Sequence, residues 1–481
     1  MSTTTSSAKG VAAAVAVVAG VGIGLFLRVD GTLGGFWLDE IWSLVNLREI
    51  HAPIEILTRL HTDNNHILNS LFLYAVGERS WWPLYRLPSL ISSVIALPMV
   101  WLLTRERGKF TAACSTLFFS LSYIMILYGS EARGYALMIT FCLLALWFAR
   151  AILRGKSRVG PAWLALGLWG SAVLGLLSHL TFLHFYLALI GWSGWAALRL
   201  KERRRRRALV AAHVACLACY AAIYAVHSRH LPPGSGPIYS YVSVLVDSAS
   251  VAFGGPALPS SGDPGRAALA VALFGSIMAV SLVELFLLWR ERSSVWLLYS
   301  LAIFVAPSMT LILLHPDVVF VRYFIVGIAC LYLLTAGFVG RVAGLGPAGR
   351  VAAVLIVLAF CAGQATYLTR FLAYGRGDYN GAIEYMVRHT PDRVLRISSD
   401  HPFRNGLVLL YHQRFFPGVR MIHRQYSGVE RPPDWWLAHR LDPRDVPPDT
   451  IRVGGQSYRL QASYPHAALS GMSWYVYRRS P

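Results

Sequence analysis

Residues 130–158 read SEARGYALMITFCLLALWFARAILRGKSR. A short polar turn opens the stretch, an apolar run of about 20 residues follows, and a basic cluster closes it. At 1.5 Å per residue such a run forms a helix long enough to cross about 30 Å of hydrocarbon. The same pattern repeats outward in both directions. It predicts eleven spans, near 10–28, 85–104, 110–128, 134–152, 161–178, 181–199, 208–226, 266–289, 294–314, 320–340 and 350–370. The first lacks a clear small-residue cleavage site and a strongly basic start, so it is read as an anchor and not a signal peptide.

Composition agrees. Of 481 residues 55% are apolar and only 14% charged, with mean hydropathy +0.49, where a soluble protein carries about 25% charged residues. A soluble globular enzyme, a disordered chain and a disulfide-rich secreted domain are excluded. The net charge of +20 sits in short arginine clusters between apolar stretches, the pattern of cytoplasmic loops, so no nucleic-acid partner is expected. Only Lys9, Lys109, Lys156 and Lys201 stand against the arginines. All six cysteines fall inside apolar stretches and imply no disulfide framework. Cys216 and Cys219 form a CxxC in mid-span, with no second pair or histidine beside it, and read as helix packing.

With the N-terminus inside, the connections RERGK (105–109), RGKSR (154–158), KERRRRR (201–207), RER (290–292) and RVAGLGPAGR (341–350) are all cytoplasmic. The five arginines at 203–207 are read as a topology determinant, with binding of anionic membrane lipid as the alternative reading. The apolar stretch 66–78 is too short to span. Counting it as a span would invert every later loop, so it is placed as a juxtamembrane helix in a large external first loop, 29–84. The loop at 227–265 is rich in Gly, Pro and Ser and reads as irregular. The tail alternates a helical pattern (DYNGAIEYMVRHT) with a strand-like run (RVLRIS). The expected organisation is a polytopic α-helical membrane domain, 1–370, followed by a small external α/β domain, 371–481. No inverted repeat of the transporter kind is visible.

The informative polar groups fall on one side of this topology. Asp39 and Glu40 follow the first span. His61, Asp63, Asn64, Asn65 and His66 form HTDNNH. Arg86 stands at the mouth of the second span, and Glu131, Arg133 and Tyr135 occupy the turn quoted above. His179 marks another turn, and His315, Asp317, Arg322 and Tyr323 lie in HPDVVFVRYF. Ionisable groups at such depths are functional by default. Carboxylates can take a proton from a hydroxyl, arginines can hold a phosphate, and apolar walls between spans can hold an isoprenoid chain. Together these suit group transfer from a lipid-phosphate donor to a hydroxyl acceptor.

The ordered set of motifs resembles the GT-C superfamily of polyprenyl-phosphate-sugar glycosyltransferases, in particular the branch of protein O-mannosyltransferases and the lipid A aminoarabinose transferase. The likeness is carried by LDE at 38–40, NNHILNSLFLY at 64–74, RLPSL at 86–90, SEARGYAL at 130–137, RYF at 322–324 and DYNGAIEYM at 378–386. Ile67 departs from it, replacing the proline usual after that histidine. The resemblance implies a GT-C-like fold and Asp39 as general base; Glu40 can orient the acceptor, bind a metal or face water. It implies Arg133 as donor-phosphate clamp, helped by Tyr135, Arg322 and Arg86. His66, Asp63 and His61 are candidates for the acceptor or loop site. Each residue also has a plainer reading: Glu131 can pair with Arg133, Arg322 can snorkel, and His66 can be a hydrogen-bonded structural residue. Asp39, Glu40, Asp63, His61 and His66 offer ligands to a divalent cation, but their spacing matches no closed site, so no required metal or other cofactor is predicted.

The expected reaction is a single inverting displacement at the external face of the cytoplasmic membrane. A polyprenyl-phosphate-linked sugar is the donor, and a lipid, glycan or protein is the acceptor. A ligase using a diphosphate-linked oligosaccharide, a lipid or sugar transporter, and a non-catalytic assembly protein are the rival readings.

Overall fold

The computed structural model describes residues 2–232, 234, 236–258, 263–428 and 431–480. It divides into two compact units. The first comprises Met1–Val29, Ala52–Val76 and Tyr85–Thr366, and the second Asp30–His51, Gly77–Leu84 and Tyr367–Pro481. The expected external first loop is thus shared: 30–51 and 77–84 go with the tail, and 52–76 goes with the helices.

Among the described residues nine helices have the length and apolarity to cross a membrane. A bent pair, Lys109–Leu121 and Tyr123–Gly129, supplies a tenth. The remaining predicted span, 181–199, is the 16-residue helix Phe182–Ala197, about 24 Å long at the α-helical rise. Local chemistry sets the ends. Tyr135–Arg154 stops at Gly155, whose φ of 65° suits a left-handed cap. Pro161 and Pro264 open their helices in the first turn, where the missing N–H costs nothing. Asp263 caps the second of these by accepting from Arg266 N at 3.1 Å.

The bend of 57° in the third span exposes backbone groups that hydrocarbon cannot satisfy. Three side chains meet them. Arg28, buried in the first helix, donates to the carbonyls of Phe119 at 2.7 Å and Ser120 at 2.8 Å. Gln364 Oε1 accepts from Tyr123 N at 2.7 Å. Ser122 Oγ accepts from Met125 N at 3.2 Å and shares a 2.8 Å bond with Tyr332. A Cβ on Gly24 would collide with the Ser120 carbonyl, so glycine is what lets the first helix come this close.

The predicted basic connections gather at one end of the helical unit. Glu284, fully buried, pairs with Arg107 and, at 2.8 Å, with Arg341, which also holds Glu291. Arg150 and Arg154 pair with Glu106. Arg205, from the five-arginine run, donates to the carbonyls of Ile152 and Leu153 at 3.3 and 3.2 Å. It thereby satisfies the C-terminal end of the Tyr135–Arg154 helix.

The middle loop is not irregular throughout, as its composition suggested. It contains the helix Tyr241–Ala252, with most of its second half buried. Its β-branched and serine residues have weak intrinsic helix preference, and tertiary packing overrides that. Gly254, at φ 83°, lies against Gly363 so closely that a Cβ on either would strike backbone. Residues 233, 235 and 259–262 of this loop lie outside the described residues.

The second unit carries a six-stranded sheet: β1 (Val394–Ser399), β2 (Arg420–His423), β3 (Trp435–Arg440), β4 (Thr450–Val453), β5 (Gln456–Tyr464) and β6 (Ser473–Arg479), in the order β2-β1-β3-β6-β5-β4. β1 is parallel to β2 and β3, and the remaining neighbours are antiparallel. Gly454 and Gly455, both at positive φ, turn β4 into β5. The helices Tyr379–Arg388 and Pro402–His412 belong to this unit, as does Leu38–Asn46, whose Trp42 meets Phe403 edge-on at 5.5 Å. Asp378 caps Tyr379–Arg388 by accepting from Gly381 N at 2.8 Å. Buried Trp435 and Trp474 donate to Thr390 and Asn405, both at 2.9 Å.

Candidate functional site

In the helical unit the site is built around the turn Ser130–Gly134. Its carbonyls are held from two other helices. Ser89 Oγ donates to Arg133 O at 2.8 Å, and Asn69 Nδ2 donates to Ala132 O at 2.8 Å. Arg133 N closes the turn onto Glu131 O at 2.8 Å. Gly134 has no room for a side chain, because a Cβ would strike the Ser178 carbonyl. The turn is therefore fixed from three sides, and its charged side chains, Glu131 and Arg133, are buried with it.

Arg133 donates through Nη2 to Asn64 Oδ1 at 3.0 Å, and its guanidinium lies 4.9 Å over the Tyr135 ring. Tyr135 leads to two imidazoles, with ring centres 5.6 Å from His66 and 4.4 Å from His179. The two histidines stack at 4.7 Å. His179 Nδ1 accepts from Thr181 N at 3.1 Å, so its proton is on Nε2. His66 bonds the Ser178 backbone. Its Nε2 is buried with no hydrogen-bond partner among the described residues.

Burial first, then His179, Arg133 and Arg322, hold the His66 imidazole well below its ordinary pKa. Burial, Arg133 and Arg322 do the same to His179. Both rings are neutral at pH 7, beside two permanent cations. Arg322 packs its guanidinium 4.0 Å over Phe320. The structure thus brings Arg133, Tyr135, His66 and Arg322 together. Arg86 is fully buried in the first turn of the helix that carries Ser89. Asp63 is exposed. A Cβ built on Gly234 would lie 3.6 Å from its Oδ2 and 4.0 Å from Tyr323 OH. His61 is placed elsewhere, with its ring 5.4 Å from His227 and 5.0 Å from His230. Among the described residues no three His, Cys, Asp or Glu side chains converge as a metal shell. His315 and Asp317 are exposed.

Asp39 and Glu40 belong to the second unit, in the first turn of Leu38–Asn46, and both are buried. Glu40 Oε2 accepts from Trp37 N at 3.3 Å, which satisfies an N–H left open at the helix start. A carboxylate in this turn is also favoured by the helix dipole. Asp39 lends its carbonyl to Ser43 Oγ at 2.9 Å. Tyr379 lies within electrostatic reach of both carboxylates and donates to Arg376 O at 2.9 Å.

The sequence pointed to the charged and aromatic members of the turn but not to the residues that hold them. Asn69 and Ser89 carried no signal beyond lying in NNHILNS and RLPSL. Arg28 stands alone at the end of an apolar run and belongs to no motif.

A helical unit with this many membrane-crossing helices, together with a small sheet domain, defines a multi-pass membrane protein. A scan of protein-family models finds no match, and a search of curated proteins finds none either. Solved structures do match. ArnT from Cupriavidus metallidurans in the apo state aligns with a TM-score of 0.53, covering 86% of this chain and 87% of that chain at 12% identity. The same protein bound to undecaprenyl phosphate gives 0.48 over 96% and 97%, again at 12%. The match to the apo structure gives this chain an ArnT-like fold.

Proposed function

We propose that this protein is a membrane glycosyltransferase that moves one sugar from a polyprenyl-phosphate carrier to a hydroxyl acceptor at the extracytoplasmic face of the cytoplasmic membrane. The observation that carries this reading is the cationic cluster of buried Arg133, held by Asn64 and lying over Tyr135, with half-buried Arg322 near the stacked His66 and His179. A buried, hydrogen-bonded guanidinium with a second one nearby suits a phosphate whose charge grows as it leaves. The ArnT-like fold supports the same class. The basic connections gathered at one end support a cytoplasmic position for that end.

In the reaction, Asp39 takes the proton of the acceptor hydroxyl. The acceptor oxygen bonds to the anomeric carbon while the bond from that carbon to the phosphate oxygen breaks. The electron pair departs on the lipid phosphate, held by Arg133 with Arg322, Tyr135 and Arg86. One displacement inverts the anomeric configuration.

The test uses the purified protein in lipid nanodiscs with labelled polyprenyl-phosphate sugars and an envelope extract as acceptor. Transfer with inversion by the wild type, lost in Arg133→Gln, is the expected result. Retained configuration overturns the single displacement. Turnover restricted to diphosphate-linked donors moves the reading to an oligosaccharide ligase, and movement of labelled lipid without bond cleavage moves it to a transporter.

A further inference from the structure

The helix Arg203–Val226 is a candidate membrane span, and the five-arginine run forms its first turns. Successive residues of a helix are about 100° apart, so the five side chains point in different directions. The face that packs on the protein carries Leu209, Ala212, Cys216, Tyr220 and Ile223, all buried. Arg205 belongs to that face. It is half-buried, pairs with Glu202 at 2.6 Å and donates to the Ile152 and Leu153 carbonyls. Arg203, Arg204 and Arg207 stand on the opposite face and are exposed. Among the described residues no side chain or carbonyl pairs with their guanidiniums.

The exposed face turns apolar below its arginines. Arg203, Arg207, Val210, Val214 and Leu217 succeed one another four or three residues apart, so they form one stripe along the helix. The three aliphatic members are exposed. Leu217 stands about 15 Å along the axis from Arg207, about half the thickness of a hydrocarbon core. The stripe thus offers cations at one end and a leaflet's depth of apolar surface beside them. Cations in the first turn of a helix oppose its dipole, and like charges three or four residues apart repel. An anion held across Arg203, Arg204 and Arg207 relieves both costs. A topology signal counts basic residues in a connection and is indifferent to helix face, so it does not account for this division of the run. A soluble phosphate would meet the arginines and gain nothing from the aliphatic stripe, whereas a phospholipid meets both.

We infer that this face is a docking site for one anionic phospholipid, with its phosphate on Arg203, Arg204 and Arg207 and an acyl chain along Val210, Val214 and Leu217. This binding does not depend on the transfer reaction proposed above, and its test needs no turnover.

The purified full-length protein is delipidated in detergent and titrated with dioleoyl phosphatidylglycerol or dioleoyl phosphatidylcholine, and the bound states are counted by native mass spectrometry. The wild type is expected to hold one phosphatidylglycerol about tenfold or more tighter than phosphatidylcholine. Arg203→Gln, Arg204→Gln and Arg207→Gln combined should abolish this tight first step, and Arg207→Gln alone should weaken it by about threefold or more. The same three positions changed to Lys keep the charge and should keep most of the preference. Arg205→Gln should lower the thermal midpoint and leave the preference intact, which separates the two faces. Thermal midpoints in phosphatidylcholine check that the Gln and Lys variants are folded alike. Equal affinity for the two lipids in the wild type, or a tight step that survives both Gln variants, overturns the inference and leaves the run a topology determinant. Displacement of the lipid by equimolar glycerol 3-phosphate also overturns it, in favour of a phosphate site that makes no use of the acyl chain.

Discussion

Arg133 is held by Asn64: the guanidinium donates to the amide oxygen at 3.0 Å, in a buried setting. The same arginine is fixed at its backbone by Ser89, so the direction of its charge is set before any substrate arrives. Preorganisation of this kind is where electrostatic catalysis gains most. Asn64→Ala removes the side-chain restraint and keeps the cation. A hydrogen bond to a charged group contributes about 1.5–3 kcal/mol. The variant should therefore lose about tenfold or more in kcat/KM for the lipid donor, with thermal stability close to wild type. A loss of stability matching the loss of activity would make Asn64 a packing residue only.

Gly134 tests the same turn sterically. A methyl group there meets the Ser178 carbonyl, and the neighbouring His66 Cβ stands at 3.2 Å, so Gly134→Ala must shift the turn that carries Arg133. Displacement of a catalytic group by about 1 Å can cost about 10²-fold in rate. Steady-state kinetics should show a fall of that order even where the protein still purifies as a folded monodisperse species.

Arg28 caps the broken third span through the carbonyls of Phe119 and Ser120. Arg28→Met keeps the length and apolar stem but leaves both carbonyls in a medium that offers no other donor. The expected loss is about 3 kcal/mol, from two charge-assisted bonds partly offset by removing a buried cation. It should appear as a lowered midpoint in SDS or thermal unfolding of the reconstituted protein. Gln364→Leu, which removes the acceptor for Tyr123 N, should destabilise in the same direction.

These contacts also show which parts of the molecule were legible in the sequence. All eleven predicted spans have a helix in the structure, because hydropathy over about 20 residues is a strong signal. The basic connections do gather at one end. What stayed hidden depends on contacts between distant segments. The bend at Ser122 is made possible by Gln364, some 240 residues away. The helix Tyr241–Ala252 forms in a stretch whose residue types argue for a loop. LDE was legible as an acidic motif, but not that Glu40 would bond back to Trp37 N, since no local pattern shows which of a carboxylate's uses prevails.

The sheet domain carries two histidines that report on pH. Burial pushes His412 and His466 down to about 4, against about 6.5 in an unfolded chain. Between those values the unfolded state binds protons that the folded state does not, so stability rises with pH. Stability is therefore full above about pH 6.5 and falls as pH drops toward 4, by up to about 1.4 kcal/mol per pH unit for each histidine. Hydrogen exchange of the β1 and β6 amides, measured from pH 7 to 5 and corrected for intrinsic rates, should show this slope. His412→Gln should reduce it.

The acidic pair separates the two uses of a carboxylate. Glu40 accepts from Trp37 N, a role that a neutral amide oxygen can also fill. Glu40→Gln should therefore keep the helix start and most of the stability. Asp39 is assigned the acceptor proton, and an amide cannot take it. Asp39→Asn should lower kcat by about 10²–10⁴, with donor binding retained because the charges assigned to the phosphate are on Arg133 and Arg322. Measuring kcat and donor Kd for both variants in nanodiscs decides the assignment. A large kcat loss in Asp39→Asn with near-normal turnover in Glu40→Gln is the expected result. The reverse order would make Glu40 the base and Asp39 a helix-terminal carboxylate. Equal small losses in both would remove the base from this helix altogether.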